Sequence, residues 1–120
     1  MADFSNKQIQ DVWNKGTAVD KYDSTKYRKD LAGAWIVRDQ YGEEGDFGWT
    51  IDHVYPESDG GDENIENLRP MQWQNNLSKS DNYPVYKTVI SSKDKDNVDK
   101  EQTFTVNETL QGKLKKLYNL

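Results

Sequence analysis

Most of the apolar surface that this chain can bury is carried by aromatic side chains, which limits the chain to one small core. Four Trp, seven Tyr and three Phe stand among 120 residues of which only 33% are hydrophobic. Aromatic side chains bury a large area each, and a disordered chain usually lacks them. We therefore expect residues 1–120 to form a single folded domain with a thin core.

The sequence has no cysteine and a single histidine, which restricts any metal site. Disulfides and thiolate zinc sites are excluded. The ligands must be oxygen atoms with, at most, one imidazole. This donor set favours a hard cation such as Mg²⁺ or Mn²⁺.

The net charge of −5 is unfavourable for binding nucleic acid, whose phosphates are usually met by an excess of Lys and Arg. The charge is uneven, however. Residues 51–84 carry seven acidic and two basic side chains, whereas residues 85–120 carry five and seven. The acidity is therefore concentrated where a metal would be held.

No apolar run approaches the ~18 residues that a membrane span requires, so a membrane is not expected as a partner. Residues 1–5 have neither a basic region nor an apolar run, so a secretory signal is not expected and the predicted location is cytoplasmic.

Capping residues and hydrophobic spacing predict a mixed α+β chain. The predicted helices are residues 5–15, capped by Ser5 and ended by Gly16, residues 71–80, beginning near Pro70, and a final helix capped by Asn107. The predicted strands are residues 49–55, 86–91 and 102–106, the last two on either side of a polar turn at 93–99. Residues 17–30 are predicted to be mostly loop, and residues 31–40 fit either a strand or a buried helix.

One segment, residues 49–81, carries side chains suited to phosphodiester hydrolysis. Asp52 and His53 lie in a predicted strand, Asn67 follows a Gly-rich loop, and Asn76 lies on the short helix. Histidine can take up a proton near neutral pH, and carboxylate and amide oxygens suit a hard cation. A base and a cation are the two elements that such hydrolysis needs.

This spaced pattern resembles the HNH endonuclease family, also called ββα-metal or His-Me finger nucleases. Outside residues 49–81 the chain is similar to small free-standing HNH proteins only in outline. The resemblance implies a ββα-metal core with an N-terminal helix, and a C-terminal β-hairpin and helix over residues 85–120. It also implies cleavage of DNA, with 5′-phosphate and 3′-hydroxyl products.

The resemblance implies a role for each matching position. His53 would be the general base, Asp52 and Asn76 would bind one Mg²⁺ or Mn²⁺, and Asn67 would brace the loop so that His53 points inward. Lys79 and Arg69 are candidate substrate contacts. Lys79 could equally be an ordinary surface lysine, and Arg69 could form a surface ion pair with a nearby Glu.

The sequence departs from many relatives at two points. The position of Asn76 is often a histidine, and the change to asparagine favours Mg²⁺ over Zn²⁺. The paired cysteines that hold a structural zinc in many relatives are absent, so no structural zinc is expected. Trp49, Trp73 and Leu77 are expected to supply packing in its place.

Adjacent residues on a regular strand point to opposite faces, so Asp52 and His53 can serve one site only if the strand ends or bulges there. The rival interpretation is a non-catalytic HNH-fold module that binds nucleic acid, a nucleotide or a protein, which the net acidity favours. A coincidental motif in an interaction protein is a third interpretation. The motif fits DNA and RNA, single- or double-stranded, and carries no signal of oligomeric state.

Overall fold

The computed structural model describes residues 3–120, so the first two residues of the N-terminal stretch lie outside the described residues. In chain order the elements are α1 Asn6–Trp13, β1 Tyr27–Lys29, β2 Trp35–Val37, β3 Trp49–His53, β4 Leu68–Gln72, α2 Trp73–Lys79, β5 Val85–Lys93, β6 Asp96–Thr105 and α3 Glu108–Tyr118. The strands of this part of the chain form three two-stranded sheets, β1–β2, β3–β4 and β5–β6, each of them antiparallel. The predicted α+β class is confirmed.

Both terminal helices begin at the predicted capping residues. The Ser5 hydroxyl accepts a hydrogen bond from the backbone N–H of Gln8 at 3.1 Å, and the Gln8 side chain accepts one from the Ser5 N–H at 2.8 Å. This reciprocal capping box fixes the start of α1. The prediction that Gly16 ends this helix is wrong, because α1 stops at Trp13. At the other end of the chain Asn107 caps α3, as predicted, by accepting from the Leu110 N–H at 2.8 Å.

Pro70 does not begin a helix, and this part of the prediction is wrong. It lies inside β4, opposite Ile51 of β3. Both strands of a two-stranded sheet are edge strands, where the missing N–H of proline is tolerated. The helix begins instead at Trp73, because the Gln72 side chain accepts from the backbone N–H groups two and three residues ahead at 2.8 and 3.1 Å.

Three other segments are more regular than predicted. Residues 17–30 contain the short strand β1, and the apolar run in residues 31–40 forms strand β2 rather than a helix. The predicted turn at residues 93–99 is only the pair Asp94–Lys95, with Asp94 in the left-handed region at φ 54°. Strands β5 and β6 therefore extend further than their apolar residues indicate.

The hairpin β3–β4 lies between two hydrophobic clusters and contributes to both. One cluster contains the buried residues Ile9, Val12, Trp13, Ile36, Trp49, Ile51 and Leu68. The other contains Val54, Met71, Tyr86, Val106 and Leu114. Packing on both faces holds the hairpin rigidly between α1 on one side and β5, β6 and α3 on the other.

Helix α2 is fastened to the rest of the fold by a buried asparagine. The Asn75 side chain donates to the Asp30 carboxylate at 3.0 Å and to the Ile90 carbonyl at 2.9 Å. Its oxygen accepts from the N–H groups of Val89 and Ile90 at 2.9 and 2.8 Å. These four bonds fix the position of α2 against β5. No helix within residues 3–120 is long and apolar enough to cross a bilayer.

Candidate functional site

The end of β3 presents Asp52 and His53 to different surroundings. The pairing of β3 with β4 is regular from Trp49↔Gln72 to His53↔Leu68, without a bulge, and β3 ends at His53. Alternation along the strand therefore places Asp52 on one face of the hairpin and His53 on the other. If both residues are to serve one site, β3 has either to end or to bulge here. The strand ends at His53 and has no bulge.

Asp52 is held between two cations. The Nε of Arg69 donates to one carboxylate oxygen at 2.9 Å, and the Nζ of Lys79 lies 3.2 Å from the other. The Asp52 and Lys79 side chains are only 3% and 0% exposed. Burial lowers the pKa of Lys79, and the Asp52 carboxylate opposes this shift by stabilising the ammonium group.

For both cations these contacts exclude the surface alternative that the sequence left open. Lys79 is not a surface lysine, because its side chain is fully buried and its Nζ also donates to the His53 carbonyl at 3.1 Å. Arg69 pairs with Asp52 rather than with a glutamate, and its guanidinium lies over the ring of Tyr86 at 4.9 Å. Both cationic side chains therefore stabilise the negative charge of the buried Asp52 carboxylate.

His53 is surrounded by carboxylates. Its Nδ1 lies 3.7 Å from Glu57, and its Nε2 lies 3.7 Å from Glu63. The ring of Phe4 is tilted against it, with 6.0 Å between the ring centroids. Within residues 3–120 the Nε2 atom is buried and has no hydrogen-bond partner.

Asn67 closes the loop that follows His53. Its side-chain oxygen accepts from the Tyr55 N–H at 2.7 Å, and its amide donates to the carbonyls of Tyr55 and Asp62 at 3.0 and 3.2 Å. The loop also needs glycine at position 61, since a Cβ there would lie 1.9 Å from the Tyr55 carbonyl oxygen. The two ends of the loop are thus tied together immediately beside His53.

Asn76 faces β3 from helix α2. Its Nδ2 donates to the Thr50 hydroxyl at 2.8 Å, and lies 3.4 Å from the Ile51 carbonyl. These bonds orient the amide but use only its nitrogen. The amide oxygen is the atom suited to a hard cation.

Asp52, His53 and Asn76 line one open cleft of about 970 Å³. Five other acidic residues also line it, namely Asp3, Glu43, Glu44, Glu57 and Asp81, and no Lys or Arg does among the described residues. The structure thus brings together three of the six predicted site residues on the cleft wall. Asn67, Arg69 and Lys79 lie behind that wall.

Helix α2 differs from the expectation in one respect. Leu77 was predicted to pack in the core, but it is 68% exposed, and with Trp73 it forms an apolar part of the cleft wall. Trp49 is fully buried, as predicted. Trp49 therefore supplies packing as expected, whereas Leu77 does not.

No pattern in the sequence indicates Glu57, Glu63 or Asp30 as members of the site. The two glutamates lie in a Gly- and Asp-rich loop that looks like solvated surface. Asp30 is buried and accepts hydrogen bonds from Ala32, Ala34, Gln72 and Asn75. Burial raises the pKa of Asp30, although these hydrogen bonds oppose the shift.

The arrangement combines an imidazole, a buried carboxylate and an amide around one cleft, and metal-assisted acid–base chemistry uses groups of these kinds. Comparison of the chain with protein-family models, with curated proteins and with solved structures finds no match.

Proposed function

We propose that the protein is a metal-dependent endonuclease that hydrolyses phosphodiester bonds in DNA. The observation that carries the proposal is the shared cleft of Asp52, His53 and Asn76, which come from strand β3 and from helix α2, with β4 between them in the chain. The order and the residue types agree with the resemblance to ββα-metal nucleases. The regular β3–β4 hairpin, packed on both faces, gives the preorganisation that catalysis requires.

The residues fit a hard cation. Asp52 and Asn76 both line the cleft, and carboxylate and amide oxygens are donors of the kind that Mg²⁺ or Mn²⁺ prefers. Arg69 and Lys79 already occupy the Asp52 carboxylate, so a cation must compete with them. The acidic wall of the cleft favours the cation in this competition.

In the proposed reaction His53 takes a proton from a water molecule, whose oxygen attacks the phosphorus as the bond to the 3′-oxygen breaks. The departing oxygen takes a proton from solvent, leaving a 5′-phosphate and a 3′-hydroxyl. The cation, when bound, would stabilise the negative charge that gathers on the phosphoryl and leaving oxygens. Asn67 would act as a positioning residue, because it holds the loop that follows His53.

The composition of the cleft wall also supports a second candidate function. A wall with acidic side chains and without Lys or Arg opposes the approach of a polyanion, which favours the non-catalytic binding module. The two functions differ in their response to divalent cations. An endonuclease of this kind should lose both cleavage and DNA affinity in EDTA, because the cation neutralises the cleft.

The test is cleavage of supercoiled plasmid by purified protein with Mg²⁺, with Mn²⁺ and with EDTA. Nicked or linear DNA should form only with a cation. His53→Ala and Asn76→Ala should abolish it, whereas Asn82→Ala, the same change at an exposed asparagine, should not. Absence of cleavage by the wild-type protein with either cation, or full activity of His53→Ala, would overturn the proposal.

A further inference from the structure

His53, Glu57 and Glu63 form a group with the geometry of a metal site on the side of β3 opposite Asp52. One ring nitrogen and one oxygen from each glutamate lie within 4.8 Å of one another. Neighbouring ligands around a tetrahedral zinc ion are about 3.4 Å apart, given bonds of roughly 2.1 Å. Glu57 approaches Nδ1 and Glu63 approaches Nε2, each at 3.7 Å, so an ion bound to one ring nitrogen requires one glutamate side chain to turn toward that nitrogen.

The polar atoms of this group are poorly satisfied by the protein. The Nε2 of His53 is buried without a hydrogen-bond partner, although the imidazole as a whole is 11% exposed. Within residues 3–120 neither glutamate forms an ion pair with a lysine or arginine. Glu66, on the same loop, pairs with Lys113 at 3.7 Å. The glutamate side chains are 52% and 38% exposed and reach solvent, so the group that a bound cation would satisfy is the buried, unpartnered ring nitrogen between them.

The donor atoms indicate which cation. One imidazole nitrogen with two carboxylate oxygens suits Zn²⁺, which accepts mixed nitrogen and oxygen ligands in tetrahedral geometry. Asp52 and Asn76 offer oxygen alone, which suits Mg²⁺. The two faces of the hairpin thus differ in the metal that they would select.

We propose that His53, Glu57 and Glu63 bind Zn²⁺, and that this binding inhibits the enzyme by occupying the imidazole nitrogen needed to accept a proton. The inhibitory part rests on the proposed endonuclease function, whereas the binding part does not. Zinc bound here leaves Asp52 and Asn76 free, so excess Mg²⁺ should not relieve the inhibition.

Binding is measured directly, without reference to activity. His53 is the only histidine, so the imidazole signals in a long-range nitrogen–proton correlation spectrum report on it alone. Addition of Zn²⁺ to the purified protein should shift one ring nitrogen, and calorimetry should give one binding site. Glu57→Gln and Glu63→Gln should each weaken Zn²⁺ affinity at least about tenfold. Removing a residue that only hydrogen-bonds to a metal ligand already costs about tenfold or more, and removing a ligand should cost no less.

Glu66→Gln is the matched control, because it removes a charge of the same kind from the same loop without touching the group. It should bind Zn²⁺ like the wild type. Asn76→Ala should also keep Zn²⁺ binding. An imidazole spectrum that does not change with Zn²⁺, or equal affinities in all three glutamate variants, would overturn the proposed site.

The effect on activity is a separate measurement, plasmid cleavage in excess Mg²⁺ with increasing Zn²⁺. Wild type and Glu66→Gln should be inhibited at the same Zn²⁺ concentration. For Glu57→Gln and Glu63→Gln the inhibitory Zn²⁺ concentration should rise by the same factor as the dissociation constant for Zn²⁺. Zinc binding with unchanged cleavage would refute the inhibitory part alone. If the wild type does not cleave DNA at all, the proposed function fails, while calorimetry and the imidazole spectrum still decide the zinc site.

Discussion

Replacing Asn67 by alanine should destabilise the protein more than most single polar substitutions. The side chain is fully buried and makes three hydrogen bonds, all to backbone atoms of Tyr55 and Asp62. At about 1 kcal/mol for each bond, Asn67→Ala should lower the free energy of unfolding by roughly 3 kcal/mol. Among the described residues the Tyr55 N–H and carbonyl have no other hydrogen-bond partner, whereas Asp62 is exposed and its carbonyl can bind water instead.

Urea denaturation followed by tryptophan fluorescence measures this change, and Asn82→Ala is the control at an exposed asparagine. Asn67→Asp provides a second test, because it keeps the acceptor for the Tyr55 N–H but replaces both donors with a carboxylate oxygen. Near neutral pH that oxygen faces two carbonyls. The stability of Asn67→Asp should therefore rise, relative to Asn67→Ala, as the pH falls and the carboxyl becomes protonated.

A loss below about 0.5 kcal/mol for Asn67→Ala, the range of ordinary surface substitutions, would refute this reasoning. It would mean that the loop after His53 is held by other contacts. If the proposed function is correct, Asn67→Ala should also reduce the cleavage rate under conditions in which the variant remains folded. Asn82→Ala should then cleave like the wild type.

Three further predictions test the packing around the site. Lys79→Met should lower stability by roughly 3 kcal/mol, because it leaves the buried Asp52 with one of its two cations; a denaturation curve equal to wild type would contradict this. Gly61→Ala should destabilise the protein, since the added Cβ would lie 1.9 Å from a backbone oxygen. Gly112→Ala in α3 places its Cβ where nothing lies within 4 Å and should stabilise the protein by about 0.5–1 kcal/mol. Melting temperatures that move in the same direction for both variants would contradict this pair of predictions. Burial, with a hydrogen bond to a carboxylate, raises the pKa of Tyr118 to about 12. Its contribution to stability is therefore present below the pKa of an unfolded tyrosine and lost as the pH rises toward 12, and Tyr118→Phe should remove the last step of the tyrosinate absorbance titration.

The elements that the sequence predicted correctly are those with a local physical signature. Ser5 and Asn107 satisfy the N–H groups of the helices they begin, so their effect does not depend on distant contacts. The strand at Trp49 is likewise visible in its own alternation. The error at Pro70 has a different origin, because proline fits both the first turn of a helix and an edge strand, and only the pairing with Ile51 distinguishes them.

The residues of the candidate site also fall into two groups, those that local spacing identifies and those that depend on tertiary contacts. The spacing of residues 49–81 was enough to select Asp52, His53 and Asn76, which share a cleft. It was not enough to predict that Lys79 is buried, because a lysine on a short polar helix carries no local sign of the carboxylate that it will meet. Glu57 and Glu63 could not be selected either, since their proximity to His53 depends on how the loop closes through Asn67.

The alternation of a single strand explains why two neighbouring residues have opposite electrostatic surroundings. Asp52 lies among cations that come from β4 and α2, whereas His53 lies among anions that come from the following loop. A hard cation approaching Asp52 must therefore compete with Arg69 and Lys79, whereas the charged side chains beside the His53 ring are Glu57 and Glu63. This difference implies that Mg²⁺ binding should be weak and that zinc, where present, should be bound at lower concentration.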